Sequence, residues 1–191
     1  MSAREETKRR RWWSVPLASV SIVARLVALV ALGWLAARWL PVWRVRRWAA
    51  VWSVRLPDRL LPTHLRVLPP PDREYFGVWE VPPAEARRRL ESTYGFRQQI
   101  RAYLHAYQRN GSMRYEEASY SYRPDGLLGP WQLHVRLFPT ADGATALWCH
   151  WERNPTVAPL AHLRQDGYDP AEGKQRLRAL LNEPLRLGET E

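Results

Sequence analysis

The sequence predicts an α+β domain carried behind a basic, hydrophobic leader. Three observations lead there. First, residues 1–73 hold 14 Lys and Arg against 4 Asp and Glu, whereas residues 74–191 hold 15 of each, so the net charge of +10 lies wholly in the first part. Second, Trp131–Phe138 and Thr145–Glu152 alternate apolar and polar residues around Ala141-Asp142-Gly143, the pattern of an antiparallel hairpin. Third, Pro82-Pro83 and Asp169-Pro170-Ala171-Glu172 carry helix-start chemistry, proline in the first turn and, in the second case, an Asp cap. The element order is strand, helix, helix, three strands, helix. The fold class is therefore α+β: an antiparallel three-strand meander within a four-stranded sheet, helices on one face, preceded by one N-terminal hydrophobic helix.

The leader divides by composition. Residues 1–21 form a basic tail containing Lys8-Arg9-Arg10-Arg11. From Trp12 to Trp43 the only charges are Arg25 and Arg38. The uninterrupted apolar runs fall short of the ~18 residues of a plain membrane span. Residues 22–42 nevertheless suit one. Arg25 and Arg38 lie about one turn from either end and about 20 Å apart at 1.5 Å per residue, so both can reach the headgroups. Trp39 and Trp43 fall at one interface, where Trp is enriched. A surface helix fits less well, because the two Arg are about 220° apart on the helical wheel. Basic residues flank both ends almost equally, so no orientation follows. The expected partner is a lipid bilayer and the expected location a membrane, crossed once.

Two other readings of the leader stand beside this one. Ala31-Leu32-Gly33 after a basic start resembles a signal-peptide cleavage site. The Arg/Trp/Pro-rich text of residues 44–66 also suits translated GC-rich DNA upstream of a true start near Val67. Nucleic acid is disfavoured, because a nucleic-acid domain carries its basic patch on the fold, and residues 74–191 are neutral.

Residues 43–73 read as a juxtamembrane stalk, punctuated by Pro57, Pro62 and Pro69-Pro70-Pro71. The domain is expected over 74–187, with a tail at 188–191 and little order expected from Glu183 onward. Glu74–Val81 suits a first strand. A helix should run from Pro83 to about Tyr94, stopped by Gly95. Phe96, Ile100, Tyr103, Leu104 and Tyr107 recur at helical spacing, which predicts a second helix over Arg97–Arg109, ended by Asn110-Gly111. Met113–Tyr122 reads as one strand, and Leu177, Leu180 and Leu181 as the buried face of the last helix.

The hairpin register can be argued. A two-residue Asp-Gly turn would set Leu133 against Glu152 and mix the two faces, which a half-buried sheet does not tolerate. A three-residue loop with Gly143 in the left-handed region sets Leu133 against Trp151, Val135 against Cys149 and Leu137 against Leu147. The other face then pairs Gln132 with Glu152, His134 with His150, and Arg136 with Trp148. Directly opposed Cβ atoms are about 5 Å apart, so these six form one patch.

That patch has three readings. The plain one is a solvated or partly covered sheet face whose His, Arg and Glu pair with each other. The second is a binding platform for a small or peptidic ligand or a protein partner, built from Gln132, His134, Arg136, Trp148, His150 and Glu152. The third is a metal site of His134, His150 and Glu152, a donor set for zinc or non-haem iron. Against the third, His150 and Glu152 are separated by about 7 Å along one strand. No nucleophile stands out; Ser119 and Ser121 are ordinary strand serines, and Cys149, the single cysteine, faces the core and excludes an intrachain disulfide. His105 and His162 read as structural. No phosphate loop, dinucleotide fingerprint or repeat occurs, and no cofactor is expected. The function expected is a single-pass, membrane-anchored protein presenting a neutral α+β domain for binding or assembly rather than catalysis. The alternative is a small soluble ligand-binding or metal-dependent enzyme domain using the His134/His150/Glu152 face, with a spurious or cleaved leader.

Overall fold

A computed structural model describes residues 22, 24–33, 42–61, 66–99 and 104–186. The chain divides into two compact units, Met1–Pro41 and Val42–Glu191. In the first, residues 24–33 are helical and exposed, Arg25 among them. Among the described residues no helix is long and apolar enough to cross a membrane. The basic tail, Arg38, Trp39 and residues 188–191 lie outside the described residues.

The second unit is α+β with two sheets rather than one. The larger is antiparallel and six-stranded, and the smaller has three strands, β1 (Val67–Leu68), β4 (Leu104–Arg109) and β5 (Ser112–Tyr115), with β1 parallel to β4. In the larger sheet the order is β3 (Arg97–Gln98), β6 (Ala118–Tyr122), β7 (Trp131–Pro139), β8 (Thr145–Arg153), β2 (Tyr75–Trp79) and β9 (Leu185–Arg186). The β7–β8 register is the one argued from the alternation: Leu133 meets Trp151, His134 meets His150 and Arg136 meets Trp148. Gly143 takes φ 85°, the left-handed position a three-residue loop needs. The strand expected at Glu74–Val81 is β2, which lies on the far side of β8 from β7, with a bulge between Tyr75 and Gly77.

One apolar face of this sheet forms the core. Leu133, Val135, Leu137, Leu147 and Cys149 are fully buried there, with Ala86 and Leu90 of α2 (Pro83–Ser92) and Leu177 of α4 (Pro170–Leu180) packed against them. Asp169 caps α4 as its sequence predicts, its Oδ1 accepting from Ala171 N at 2.8 Å and Glu172 N at 3.0 Å. Gly173 sits where α4 crosses β8. A Cβ at this position would lie 2.5 Å from His150 Cα, so only glycine allows the close approach.

Four expectations need correcting. The helix expected over Arg97–Arg109 is instead β3 and β4, with residues 100–103 outside the described set. Asn110 and Gly111 take φ 50° and 72°, both positive, and close a two-residue hairpin that pairs Arg109 with Ser112. The helical spacing of five apolar residues competes with the Asn-Gly turn, and pairing of β4 with β1 and β5 goes with the turn. Met113–Tyr122 is not one strand either. The chain changes sheets at Glu116-Glu117: Glu116 N donates to His105 O in the small sheet, and Glu117 N to Leu137 O in the large one. The segment after Glu183 holds β9, which pairs with β2 and makes six strands where four were expected.

The fourth correction concerns residues 43–73. Val42–Ser53 is a helix, α1, rather than a stalk, and it packs on the domain. Arg46 is buried and pairs with buried Glu116 at 3.3 Å, and Arg47 reaches Glu117 at 2.9 Å. Trp43, expected at a membrane interface, is half-buried against the core, with the Arg87 guanidinium 3.8 Å from its ring centre. The prolines act later: Pro71 precedes a short turn, Asp72–Glu74, that delivers Glu74 to the start of β2.

Candidate functional site

Alternation along β7 and β8 puts Gln132, His134, Arg136, Trp148, His150 and Glu152 on the face opposite the core, and all six are buried. The patch is therefore covered rather than solvated, and its His, Arg and Glu side chains pair with one another and with Glu74, as the partly covered form of the plain reading has it. Its far end, with Phe138, Ala146 and Trp148, is covered by Tyr107 of the small sheet and by Tyr75 and Val78 of β2. Tyr107 stands 5.2 Å from Phe138 and 5.0 Å from Trp148, ring centre to ring centre. The near end lines a cavity of about 380 Å³ whose walls include His105, Tyr168 and His162. A second hollow, of about 730 Å³, lies beside Tyr75, Tyr107, Trp148 and Lys174.

Two carboxylates organise the near end. Glu152 is met from three sides by imidazoles: His150 Nε2 at 3.0 Å, His162 Nδ1 at 3.2 Å and His134 Nδ1 at 3.4 Å. Gln132 Nε2 donates to its Oε1 at 2.6 Å, and Arg123 Nε donates to Gln132 in turn at 3.0 Å. Glu74, only 1% exposed, pairs with Arg136 and accepts from the Tyr168 hydroxyl. His150 Nδ1 lies 3.1 Å from Glu74 Oε1, close but out of line for a full hydrogen bond. His134 Nε2 meets Ser119 Oγ at 2.6 Å. The two rings, directly opposed across the strands, stand 4.9 Å apart edge to face.

Burial and pairing compete at every ionisable group here. Burial alone would raise the Glu74 carboxyl, but His150, Arg136 and Tyr168 outweigh it and hold the group down at about 2. Burial would raise Glu152 too, and His150, His162 and His134 hold it well below the usual carboxylate range. Burial works against a charged His150, yet its two carboxylate neighbours raise it above an ordinary histidine. His162 is raised by Glu152. His134 goes the other way: burial and the neighbouring Arg136 push it well below the ordinary value. Arg136 Nε and Trp148 Nε1 are buried with no hydrogen-bond partner among the described residues. Each such donor costs about 1–3 kcal/mol when left unmade.

The opposite face is chemically quiet. Cys149 is buried in the core, and burial pushes its thiol up to about 12, so it is no nucleophile.

All six residues expected on the patch are brought together, and His134, His150 and Glu152 present one candidate ligand atom each within 4.8 Å of one another. The 7 Å objection fails because the Glu152 side chain turns back along the strand to His150. Sequence reasoning missed Glu74 and Tyr168, and set Ser119 aside as an ordinary strand serine and His162 as structural. Glu74 is 62 residues from Arg136 and 94 from Tyr168, a separation that no local pattern spans. Comparison of the chain with models of known families, with curated proteins and with solved structures gives no match. Function rests on the chemistry of the site.

Proposed function

We propose that this chain is a membrane-associated binding protein whose α+β domain takes a small polar ligand in the cleft beside His134, Arg136, His150 and Glu152. One observation carries the reading: Glu74, His134, Arg136, His150 and Glu152 are all buried side by side along the wall of one cavity. A fold that needed only stability gains little from such a set. Replacing buried ion pairs with apolar residues is often neutral or stabilising by about 1–4 kcal/mol. Charged groups gathered at a cavity are what a ligand site requires.

The membrane part of the reading is supported by α1. Its buried face carries Arg46, Ala50 and Ser53, while Val45, Trp48 and Trp52 are exposed on the other side. Trp48 and Trp52 contact each other at 6.1 Å, and the Arg55 guanidinium lies 5.3 Å over the Trp52 ring. Exposed Trp beside Arg suits the headgroup level of a bilayer. The apolar leader, residues 22–42, supports the same attachment.

Native mass spectrometry of the full-length protein, released from detergent, tests the binding reading. The wild type should carry a non-covalent mass that disappears on denaturation and is absent from folded Glu152→Gln. Identical native and denatured masses, with no adduct on supplying metals or small polar compounds, would contradict it.

A further inference from the structure

We propose that His134, His150 and Glu152 bind a divalent transition-metal ion of the zinc class, with one coordination position left open to the cavity. The inference rests on the reading of the cleft as a ligand site and names the ligand.

The argument starts from the inner atoms. His134 Nδ1 and His150 Nε2 both face Glu152, at 3.4 Å and 3.0 Å, and the three side chains are buried. One candidate ligand atom from each side chain already lies within 4.8 Å of the other two, so an ion placed among them would gain two nitrogens and one oxygen. The outer atoms are as telling. A metal-bound histidine engages a carboxylate, hydroxyl or carbonyl with its other nitrogen, which fixes the ring and its tautomer. Here His134 turns Nε2 to Ser119 Oγ at 2.6 Å, and His150 Nδ1 faces the Glu74 carboxylate at 3.1 Å, out of line for a full hydrogen bond but close enough to form one on a small turn of the ring. Glu74 is itself fixed by Arg136 and Tyr168. The carboxylate ligand has its own support, with Gln132 donating to Glu152 at 2.6 Å. Every candidate ligand thus has one face toward its fellows and the other toward a supporting group. Glu152 alone would need one cationic partner to be neutralised, and three imidazoles converge on it.

The donor set selects the ion. Two imidazoles and a carboxylate suit zinc, iron or nickel, whereas calcium and magnesium take oxygen ligands. No thiolate competes, because Cys149 belongs to the core face. Three protein ligands beside a cavity of about 380 Å³ match sites that keep a position for water or substrate rather than closed structural sites.

Titration calorimetry of the chelator-treated full-length protein with zinc chloride tests this, with calcium chloride as control. The wild type should take up one zinc per chain and no calcium. Glu152→Gln keeps the side-chain shape and the Gln132 contact, and should lose at least a hundredfold in zinc affinity while retaining its near-ultraviolet circular dichroism. Ser119→Ala, which touches no inner ligand atom, should lose about 10- to 100-fold. No zinc uptake by the wild type, or folded Glu152→Gln binding zinc as tightly as the wild type, would overturn the proposal. A retained non-metal mass in native spectra without zinc uptake would sink the metal and leave the binding reading; neither mass nor zinc would sink both.

Discussion

Glu183 shows how a single distant carboxylate closes this fold. It accepts from Trp79 Nε1 at 2.9 Å and Tyr94 OH at 2.9 Å and pairs with Arg89, joining β2, the end of α2 and the segment before β9. Burial would raise it, but Tyr94, Trp79 and Arg89 together lower it below its ordinary 4.5. A lowered folded value means the unfolded chain binds protons first. The stabilisation is therefore full above about pH 4.5 and is lost as pH falls through the folded value. Glu183→Gln should lower the thermal midpoint at pH 7, and the difference from wild type should shrink below pH 4. A gap that stays constant from pH 7 to pH 3 would contradict this. At the same scale, the sequence reveals residues that a register brings together and hides those that tertiary folding delivers. His134 opposite His150 follows from alternation and one turn. Glu74 and Tyr168 reach the same site from loops, and only the bulged start of β2 and the chain ahead of α4 place them there.

At the scale of elements, α4 is positioned by the absence of a side chain. An Ala at residue 173 should favour the isolated helix by about 1 kcal/mol over Gly. In the fold its Cβ would meet His150 Cα at 2.5 Å and Trp151 N at 2.7 Å, both backbone. Overpacking of this kind costs about 1–3 kcal/mol, and backbone cannot rotate away. Gly173→Ala should therefore destabilise by about 1–2 kcal/mol in denaturant unfolding, opposite in sign to helix propensity. Neutral or stabilising behaviour would show that α4 does not rest on β8 as described. Elements were legible where local chemistry and burial agree, as in the β7–β8 hairpin and the Asp169 cap. They were not legible over residues 97–109. Helical spacing and an Asn-Gly turn pointed different ways there, and pairing with β1 and β5 settled the matter. The role of α1 was hidden because its buried face carries Arg46, whose partner Glu116 lies 70 residues away.

At the scale of the molecule, the larger sheet separates two chemistries. One face is closed by α2 and α4 over an apolar core, and the other holds the polar site, part covered by Tyr107 of the smaller sheet. The charge division read from the sequence shifts in this arrangement. Residues 74–191 are neutral, but of the surplus of +10, five lie in residues 1–41 and five in residues 42–73, which belong to the folded unit. Together with exposed Trp48 and Trp52, this predicts attachment that anionic lipid strengthens. Full-length protein should co-sediment with phosphatidylcholine vesicles more strongly once phosphatidylserine is added. The double change Trp48→Ala, Trp52→Ala should weaken that binding without lowering the thermal midpoint, because both rings are exposed. Equal sedimentation of the two proteins would remove α1 from the attachment.

The central claim is that the polar face of β7 and β8 is a metal-centred binding site rather than a self-satisfied ion-pair network. Anomalous diffraction at the zinc edge, from crystals of the zinc-titrated protein, addresses it most directly. The account predicts one strong peak bonded to His134 Nδ1, His150 Nε2 and a Glu152 carboxylate oxygen, with Ser119 and Glu74 holding the far nitrogens. A site without anomalous signal, in which Glu152 still pairs directly with His134, His150 and His162, would contradict it.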